Sequence, residues 1–371
     1  MKAEQYDTVV IGGGQAGLAM AYYLTEQERD FTIVDAGDRI GNAWRRRWDS
    51  LWLFTPAAFN GLPGMPFPIP GGYFPTKDET ADYLEEYARK FDLTVRLGRH
   101  VDSLRREGDE YLVSTGEERY LAENVVVATG PYHTPRIPAF AGRLDPSIIQ
   151  FHSSAYRNPE QLPEGDVLVV GAGNSGAEIS LELAASRHTY LSGRETGHVP
   201  GGVHQRRLPR HILFGWLVGR WLLSRFTVDS RLGQKGRELN RSQGTPLLRF
   251  SPRDLIEAGV ERVPRVEGIV DGKPKLAGGR VLEVASVVWA TGFKPDFGWI
   301  ELPVFGEDGY PAQYRGVVER APGLYFLGLP FQHTLASAVI GGVGKDARYI
   351  AERTIEHEKK PAAARRIPTS I

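Results

Sequence analysis

The chain opens on a β-branched apolar run, Tyr6 to Ile11, which breaks into three glycines and then gives way to apolar residues at helical spacing from Ala16 to Glu26. A second apolar run, Phe31 to Asp35, follows at once. Strand, helix and strand in that order predict a parallel α/β unit, because parallel strands need a crossover rather than a tight turn. Pro and Gly crowd residues 55–75, with turns such as Leu62-Pro63-Gly64, and so long an irregular loop is ordinarily a functional one. Residues 78–91 place Tyr83, Leu84, Tyr87, Ala88 and Phe91 on one helical face, and 93–121 alternates like antiparallel strands. Val125 to Ala128 reads as a continuous apolar strand entering Thr129-Gly130; prolines at 131, 135, 138 and 146 then break regular structure and predict a hinge.

The pattern then restarts. Asp166 to Val170 reads as a strand, Gly171 to Gly176 as a glycine turn, Ala177 to Ala185 as a helix and Thr189 to Ser192 as the next strand. Val284 to Ala290 enters Thr291-Gly292 just as Val125 to Ala128 enters Thr129-Gly130, and a last strand is expected at Leu324 to Leu327. The expected organisation is two similar α/β units with the second inserted into the first: residues 1–160 and 293–371 against 161–292. Residues 212–226 are very apolar, yet Arg220 and Arg225 interrupt a run already short of the roughly 20 apolar residues a bilayer demands. A buried or homodimer-forming helix and an interfacial helix are the two readings of that segment.

Composition narrows the function. A length of 371 residues exceeds one ordinary hydrophobic core, in keeping with two units. Lys plus Arg and Asp plus Glu are equal at 45 each, so no net field favours nucleic acid or an anionic membrane, and a small-molecule partner is expected. Cysteine is absent, which excludes disulfides, thiolate metal sites and electron relay through a Cys pair. Neither a metal-ligand pattern nor a Ser-His-Asp arrangement is present. The first residues lack the features of a signal peptide, giving a cytoplasmic expectation, and the basic tail from Lys359 carries no motif.

The two glycine turns carry the chemistry. Gly12, Gly14 and Gly17 form G-x-G-x-x-G with Gln15 and Ala16 inside, and Asp35, followed by Ala36, ends the second strand. The first glycine permits the tight turn, the second lets backbone approach a pyrophosphate, the third lets the helix pack closely, and the acid accepts from a ribose hydroxyl. Gly171, Gly173 and Gly176, with Asn174 and Ser175 between the last two, repeat the turn, but the following strand ends in Ser192-Gly193-Arg194. An arginine there suits the 2'-phosphate that a carboxylate would repel; the bland reading is a surface arginine. The expected cofactors are therefore FAD at the first turn and NADPH at the second, each in a Rossmann-like unit.

Taken together, GGGQAG at 12–17, WRRRWDSLWLFTP at 44–56, LPGMPFP at 62–68, VVVATG at 125–130, FHSSAY at 151–156, VVGAGNSGAEI at 169–179 and WATGFKPD at 289–296 resemble the class B flavin-dependent monooxygenases. These are the flavin-containing, Baeyer-Villiger and plant YUCCA-like enzymes, and the likeness is to their short bacterial members. The resemblance implies that Gly41 and Trp44 lie against FAD, that Val101 lends backbone to the adenine, and that Thr129-Gly130 and Thr291-Gly292 run beside the cofactors. It also implies that Gly328, Gln332 and His333 approach the flavin ring from the C-terminal side. Trp48, Trp52, Phe54 and Phe59 are candidates for a dry lining or for ordinary core. The family signature F-x-G-x-x-x-H has lost its Phe and Gly here, keeping His152, Ser153 and an aromatic, Tyr156, where Baeyer-Villiger members have Trp. Ketone insertion is disfavoured on that ground. His152 itself reads as either structural or near the nicotinamide.

Phe54 stands where eukaryotic-type members carry an asparagine that supports the oxygenated flavin, so peroxide leakage is expected. The implied reaction uses NADPH and O2 to place one oxygen on a sulfide or amine through a flavin hydroperoxide. The alternatives are an NADPH:flavin reductase that passes electrons to an acceptor or to O2, and a nucleotide-sensing module. Arg45 to Arg47 read as a solvated face or as neighbours of a pyrophosphate.

Overall fold

A computed structural model describes residues 2–199, 206–207, 227–231, 233–236, 238 and 245–358. The apolar segment 212–226 and the tail from Lys359 lie outside the described residues. β1 (Glu4–Ile11), α1 (Gln15–Glu26) and β2 (Phe31–Val34) form the expected first unit, with β1 and β2 parallel. A short helix, α2 (Asn42–Arg45), and the irregular loop lead to α3 (Lys77–Lys90). Thr76 and Glu79 close a reciprocal capping box at the start of α3. The buried face of α3 includes Tyr83, Leu84, Tyr87 and Ala88, as its spacing predicts. Its tyrosines clasp the 62–65 turn: Tyr83 Oη donates to Met65 O at 2.8 Å and accepts from Leu62 N at 2.7 Å, while Tyr87 Oη donates to Pro63 O at 2.7 Å.

β3 (Val95–Arg96) extends the sheet beside β2, and β4 (Ser103–Glu107), β5 (Glu110–Thr115) and β6 (Glu118–Val127) form an antiparallel meander. The end of the alternating stretch and the apolar run from Val125 lie on the same strand. β6 is one continuous strand whose first part pairs with β5 and whose second part lies parallel to a late strand, β16 (Leu324–Phe326). The order is β3-β2-β1-β6-β5-β4, with β16 against β6.

β7 (Thr134–Pro135) opens the crossing, and β8 (Ile149–His152) enters a second sheet. β9 (Val167–Val170), α4 (Asn174–Ala184) and β10 (Thr189–Ser192) repeat the first unit; α5 (Pro252–Glu257), β11 (Val260–Val263), the β12 (Val266–Val270) and β13 (Lys273–Leu276) hairpin, and β14 (Ser286–Trp289) follow. This sheet is wholly parallel, in the order β11-β10-β9-β14-β8. Because β8 pairs with β14, the second sheet begins before the expected boundary at residue 160. β15 (Phe293–Lys294) crosses back, pairing antiparallel with β7, before β16 (Leu324–Phe326) and α6 (Ile340–Glu358). The molecule is thus a mixed α/β fold.

Both sheets are buried on both faces, which explains their unbroken apolar runs. Val10 and Val126 point to the side covered by α1, α3 and α6, while Val9, Ile11, Val125 and Val127 point to the other. Val167 and Val169 face α4 and α5, whereas Leu168 and Val170 pack with Trp289. Among the described residues no helix is long and apolar enough to cross a membrane, and no group of side chains is suited to hold a metal.

Candidate active site

The two glycine turns are built alike. Gly12 has φ +111° and Gly171 φ +114°, and a Cβ at either would sit against the carbonyl of the neighbouring strand end, 2.6 Å from Ala128 O and 2.1 Å from Ala290 O. A Cβ at Gly17 would lie 1.8 Å from Gly12 O, and one at Gly176 1.8 Å from Gly171 O, so each helix rests on its own turn. Gly14 and Gly173 differ, for a Cβ there meets nothing within 4 Å. They cap α1 and α4 without a side-chain hydrogen bond, and no acid stands in either first turn. Free N–H groups facing open space at a helix N-terminus fit a diphosphate.

Asp35 stands just past β2, its Oδ2 accepting from Gly13 N at 2.5 Å and its Oδ1 from Gly37 N at 2.6 Å. The carboxylate is thereby aimed at the first turn while each oxygen keeps a lone pair for a ribose hydroxyl. The corresponding residue after β10 is Gly193, at φ +147°, where a Cβ would come 2.7 Å from Ala172 N. Arg194 follows and is exposed, and Arg262 on β11 donates to Gly193 O at 2.9 Å. Sequence reasoning missed Arg262; the Val260 to Val263 alternation, unread as a strand, was its signal. Asn174 ties the second turn to the 246–248 segment, its Nδ2 donating to Pro246 O at 3.0 Å and its Oδ1 accepting from Leu248 N at 2.9 Å, which leaves one amide N–H over.

Gly328, at φ +84°, sets the end of β16 against Ala16, with a Cβ position 3.0 Å from Ala16 Cβ. Gly41, at φ +77°, lies against Ala81 of α3. Trp44 is half-buried beside the α1 and α3 cluster, Ala36 is exposed, and Val101 is buried with Val9 and Val34. Trp48 is buried with Tyr156, Val167 and Val169 of the second sheet, the ordinary-core alternative for that residue. Phe54 is half-buried, and the buried amide of its loop is that of Asn60. That amide is consumed locally: Oδ1 accepts from Thr55 Oγ1 at 2.6 Å and Nδ2 donates to Thr55 O at 2.8 Å and Pro56 O at 3.2 Å.

Gln332, expected near a flavin ring, lies buried in the turn that follows the last strand, and its Nε2 has no hydrogen-bond partner. It is 2% exposed, its Oε1 accepts from Leu329 N at 3.2 Å, and its Nε2 is turned toward Gly316 and Ile350 in the core. Phe331, in the left-handed region at φ +53°, closes the turn that directs it there. His333 Nδ1 lies 3.7 Å from Asp346 Oδ1. Burial pushes the Asp346 carboxyl up to about 6 and the His333 imidazole down.

The crossing between the sheets is stitched by histidines. His152 Nδ1 accepts from Ser154 N at 3.1 Å, so its Nε2–H donates to Gly292 O at 2.9 Å. His133 Nδ1 accepts from Asp296 N at 2.9 Å, leaving its Nε2–H for Thr129 Oγ1 at 3.1 Å. Thr291 Oγ1 donates to Arg136 O, tying the second Thr-Gly turn to the first crossing strand. His152 is thus held across the crossing by both ring nitrogens. Burial lowers both imidazoles below the ordinary value of 6.5, so the folded chain binds fewer protons than the unfolded one. Their contribution to stability is complete above that value and is lost as pH falls below it. Thermal unfolding should therefore shift to lower temperature on acidification below about pH 6.5, and His152→Gln should flatten that slope; an unchanged slope would refute the assignment.

Residues 9–197 match the pyridine nucleotide-disulphide oxidoreductase family. Disulfide chemistry within this chain is excluded by the absence of cysteine. The chain is 45% identical over 358 residues to a CzcO-like oxidoreductase of Geobacillus kaustophilus, covering 95% of this chain and 99% of that one. It is 33% identical over 375 residues to a probable indole-3-pyruvate monooxygenase, YUCCA9, of Arabidopsis thaliana, covering 90% and 86%. Among solved structures, the flavin-containing monooxygenase from Stenotrophomonas maltophilia superposes with a TM-score of 0.75 at 26% identity, covering 95% of this chain and 99% of that one. With paired glycine turns, helix starts open to an anion and these relatives, the chain belongs to the pyridine nucleotide-disulphide oxidoreductase family and, within it, to the class B flavin-dependent monooxygenases.

Proposed function

We propose that the protein is an NADPH-dependent FAD monooxygenase that transfers one oxygen atom of O2 to a small soft nucleophile, a sulfide or an amine. The carrying observation is the duplicated turn, equal in its close approaches, that has Asp35 after β2 but Gly193 and Arg194 after β10. In this reading each sheet is a Rossmann-like dinucleotide unit, the second inserted in the first. The first turn, Asp35, Trp44 and Gly328 hold FAD; the second turn, Arg194 and Arg262 hold NADPH. When bound, FAD would supply the redox chemistry that links the nicotinamide to O2. The protein binds, orients and excludes water. The stitched Thr129-Gly130 and Thr291-Gly292 turns hold the two halves in register.

A second reading, an NADPH:flavin reductase or oxidase, draws support from the loop around Phe54, where Asn60 has no spare N–H to offer the site. Purified protein supplied with NADPH, isotopically labelled O2 and a thioether separates the two. Labelled sulfoxide is the expected product, and NADPH consumed wholly to peroxide across a panel of sulfides and amines would replace the first reading by the second. Arg194→Ala should raise the KM for NADPH roughly 10-fold or more, the equivalent of losing a charged hydrogen bond of about 1.5–3 kcal/mol, with little effect on NADH. Equal losses with both coenzymes would remove the phosphate assignment.

A further inference from the structure

The three consecutive arginines after α2 have different fates. Arg45 Nη2 pairs with Asp82 at 2.8 Å and Glu85 at 3.0 Å, and exposed Arg46 reaches Asp38 at 4.0 Å. Arg47 turns inward, half-buried, with its guanidinium 5.6 Å from the Tyr132 ring centroid. Among the described residues no carboxylate lies within ion-pairing distance of it; burial lowers its pKa most, Tyr132 opposes that, and the like charge of Arg157 adds to it. Arg157 spends its Nη1 on the carbonyls of Ser154 and Tyr156, both at 2.9 Å. His152, which also feels Arg47, donates Nε2–H to Gly292 O and accepts from Ser154 N at Nδ1, so it offers Arg47 no negative charge.

A half-buried guanidinium with no counter-charge is costly to hold, and burial pulls its pKa down. An aromatic face compensates only by about 0.5–2 kcal/mol. Around it stand Tyr132, 63% exposed, and Phe293, whose rings are 5.3 Å apart, at the point where the chain crosses between the sheets. The locus is cationic, aromatic and open to solvent on the Tyr132 side.

We propose that Arg47 is the cationic end of an oxyanion subsite at the inter-sheet crossing, bounded by Tyr132 and Phe293. The guanidinium presents a planar donor fork suited to a phosphate or a carboxylate. Two sources offer that chemistry: the diphosphate of the nicotinamide dinucleotide and an acidic group on the substrate. The inference deepens the monooxygenase reading and rests on it for the second source, but the presence of the subsite can be tested without turnover.

The test titrates flavin-loaded protein with inorganic pyrophosphate, benzoate and NADPH by calorimetry. Wild type, Arg47→Met, Arg47→Lys and, as a surface control, Arg46→Met are compared, with flavin content per chain read from visible absorbance. Arg47→Met should weaken at least one probe 10-fold or more, Arg47→Lys should recover part of the loss, and Arg46→Met should bind as wild type. Loss of pyrophosphate and NADPH together assigns the subsite to the dinucleotide; loss of benzoate alone assigns it to an acidic substrate. Unchanged binding of all three probes by a yellow Arg47→Met protein overturns the proposal. So does failure of wild type to bind any of them. A protein that never takes up flavin sinks the monooxygenase reading instead, and the pyrophosphate and benzoate titrations then decide the subsite on the flavin-free chain. If Arg47→Met does not fold, Arg47→Lys decides: oxyanion binding unaltered in every arm overturns the subsite.

Discussion

Gly17→Ala and Gly176→Ala should each damage one half of the molecule, and the damage should separate the two cofactors. A Cβ at either position falls 1.8 Å from a backbone carbonyl of its own turn, which cannot yield as a side-chain tip would. The helix must withdraw, and overpacking of this kind costs about 1–3 kcal/mol or more. Gly17→Ala is expected to lower the melting temperature of the cofactor-stripped protein and to abolish flavin retention. Gly176→Ala should remain yellow and lose affinity for NADPH by 10-fold or more. Gly14→Ala and Gly173→Ala are the informative partners. Their φ values of −78° and −79° suit any residue and no atom lies within 4 Å, so the stripped protein should melt as wild type while diphosphate binding falls. A Gly14→Ala protein that melts lower yet holds flavin normally would show that this open space serves the fold rather than a ligand.

Arg249→Ala should be the most destabilising change outside the glycine turns. Arg249 is 5% exposed, stacks its guanidinium 3.4 Å from the Trp52 ring centroid, donates to Trp52 O at 3.0 Å and pairs with Glu178 at 3.1 Å. It therefore ties the loop below the first turn to the helix of the second. Truncation leaves Glu178 buried without its partner, a situation that typically costs about 3–5 kcal/mol, whereas replacing both partners by apolar residues is often near neutral. Denaturant unfolding of Arg249→Ala, Glu178→Met and the Arg249→Met/Glu178→Met double variant measures this directly, and a double variant as weak as the single arginine truncation would refute the pairing. The pH dependence has a definite sign. Desolvation already pushes Glu178 up to about 7, so its contribution is present below its ordinary value of 4.5 and is lost as pH rises through about 7. Without Arg249 the carboxyl moves higher still, and the deficit of the variant should be largest in alkali and shrink on acidification.

The helices and strands around both glycine turns were legible because each is set by local rules. Runs such as Val167 to Val170 are apolar throughout, glycines stand where backbone must touch backbone, and Asp35 ends its strand. What could not be read was pairing between distant segments. β8 belongs to the second sheet because it meets β14, and β6 continues unbroken because β5 and β16 share it; neither partnership has a local mark. The same limit applied to side chains.

The sequence by itself determined the main strands and helices around the turns and the repeat of the turn with its glycines, since those depend on residue type and spacing over a few positions. The tertiary structure alone decided which polar groups are spent and which are spare. It buried Gln332 with its Nε2 unpartnered, used both N–H donors of Asn60, tied Asn174 to the 246–248 segment, made His152 a stitch across the crossing, and left Arg47 without a counter-ion while its two neighbours have acids within reach. Desolvation and hydrogen-bond satisfaction are properties of the assembled surroundings, contributed by residues far apart in the chain, and no local pattern encodes them.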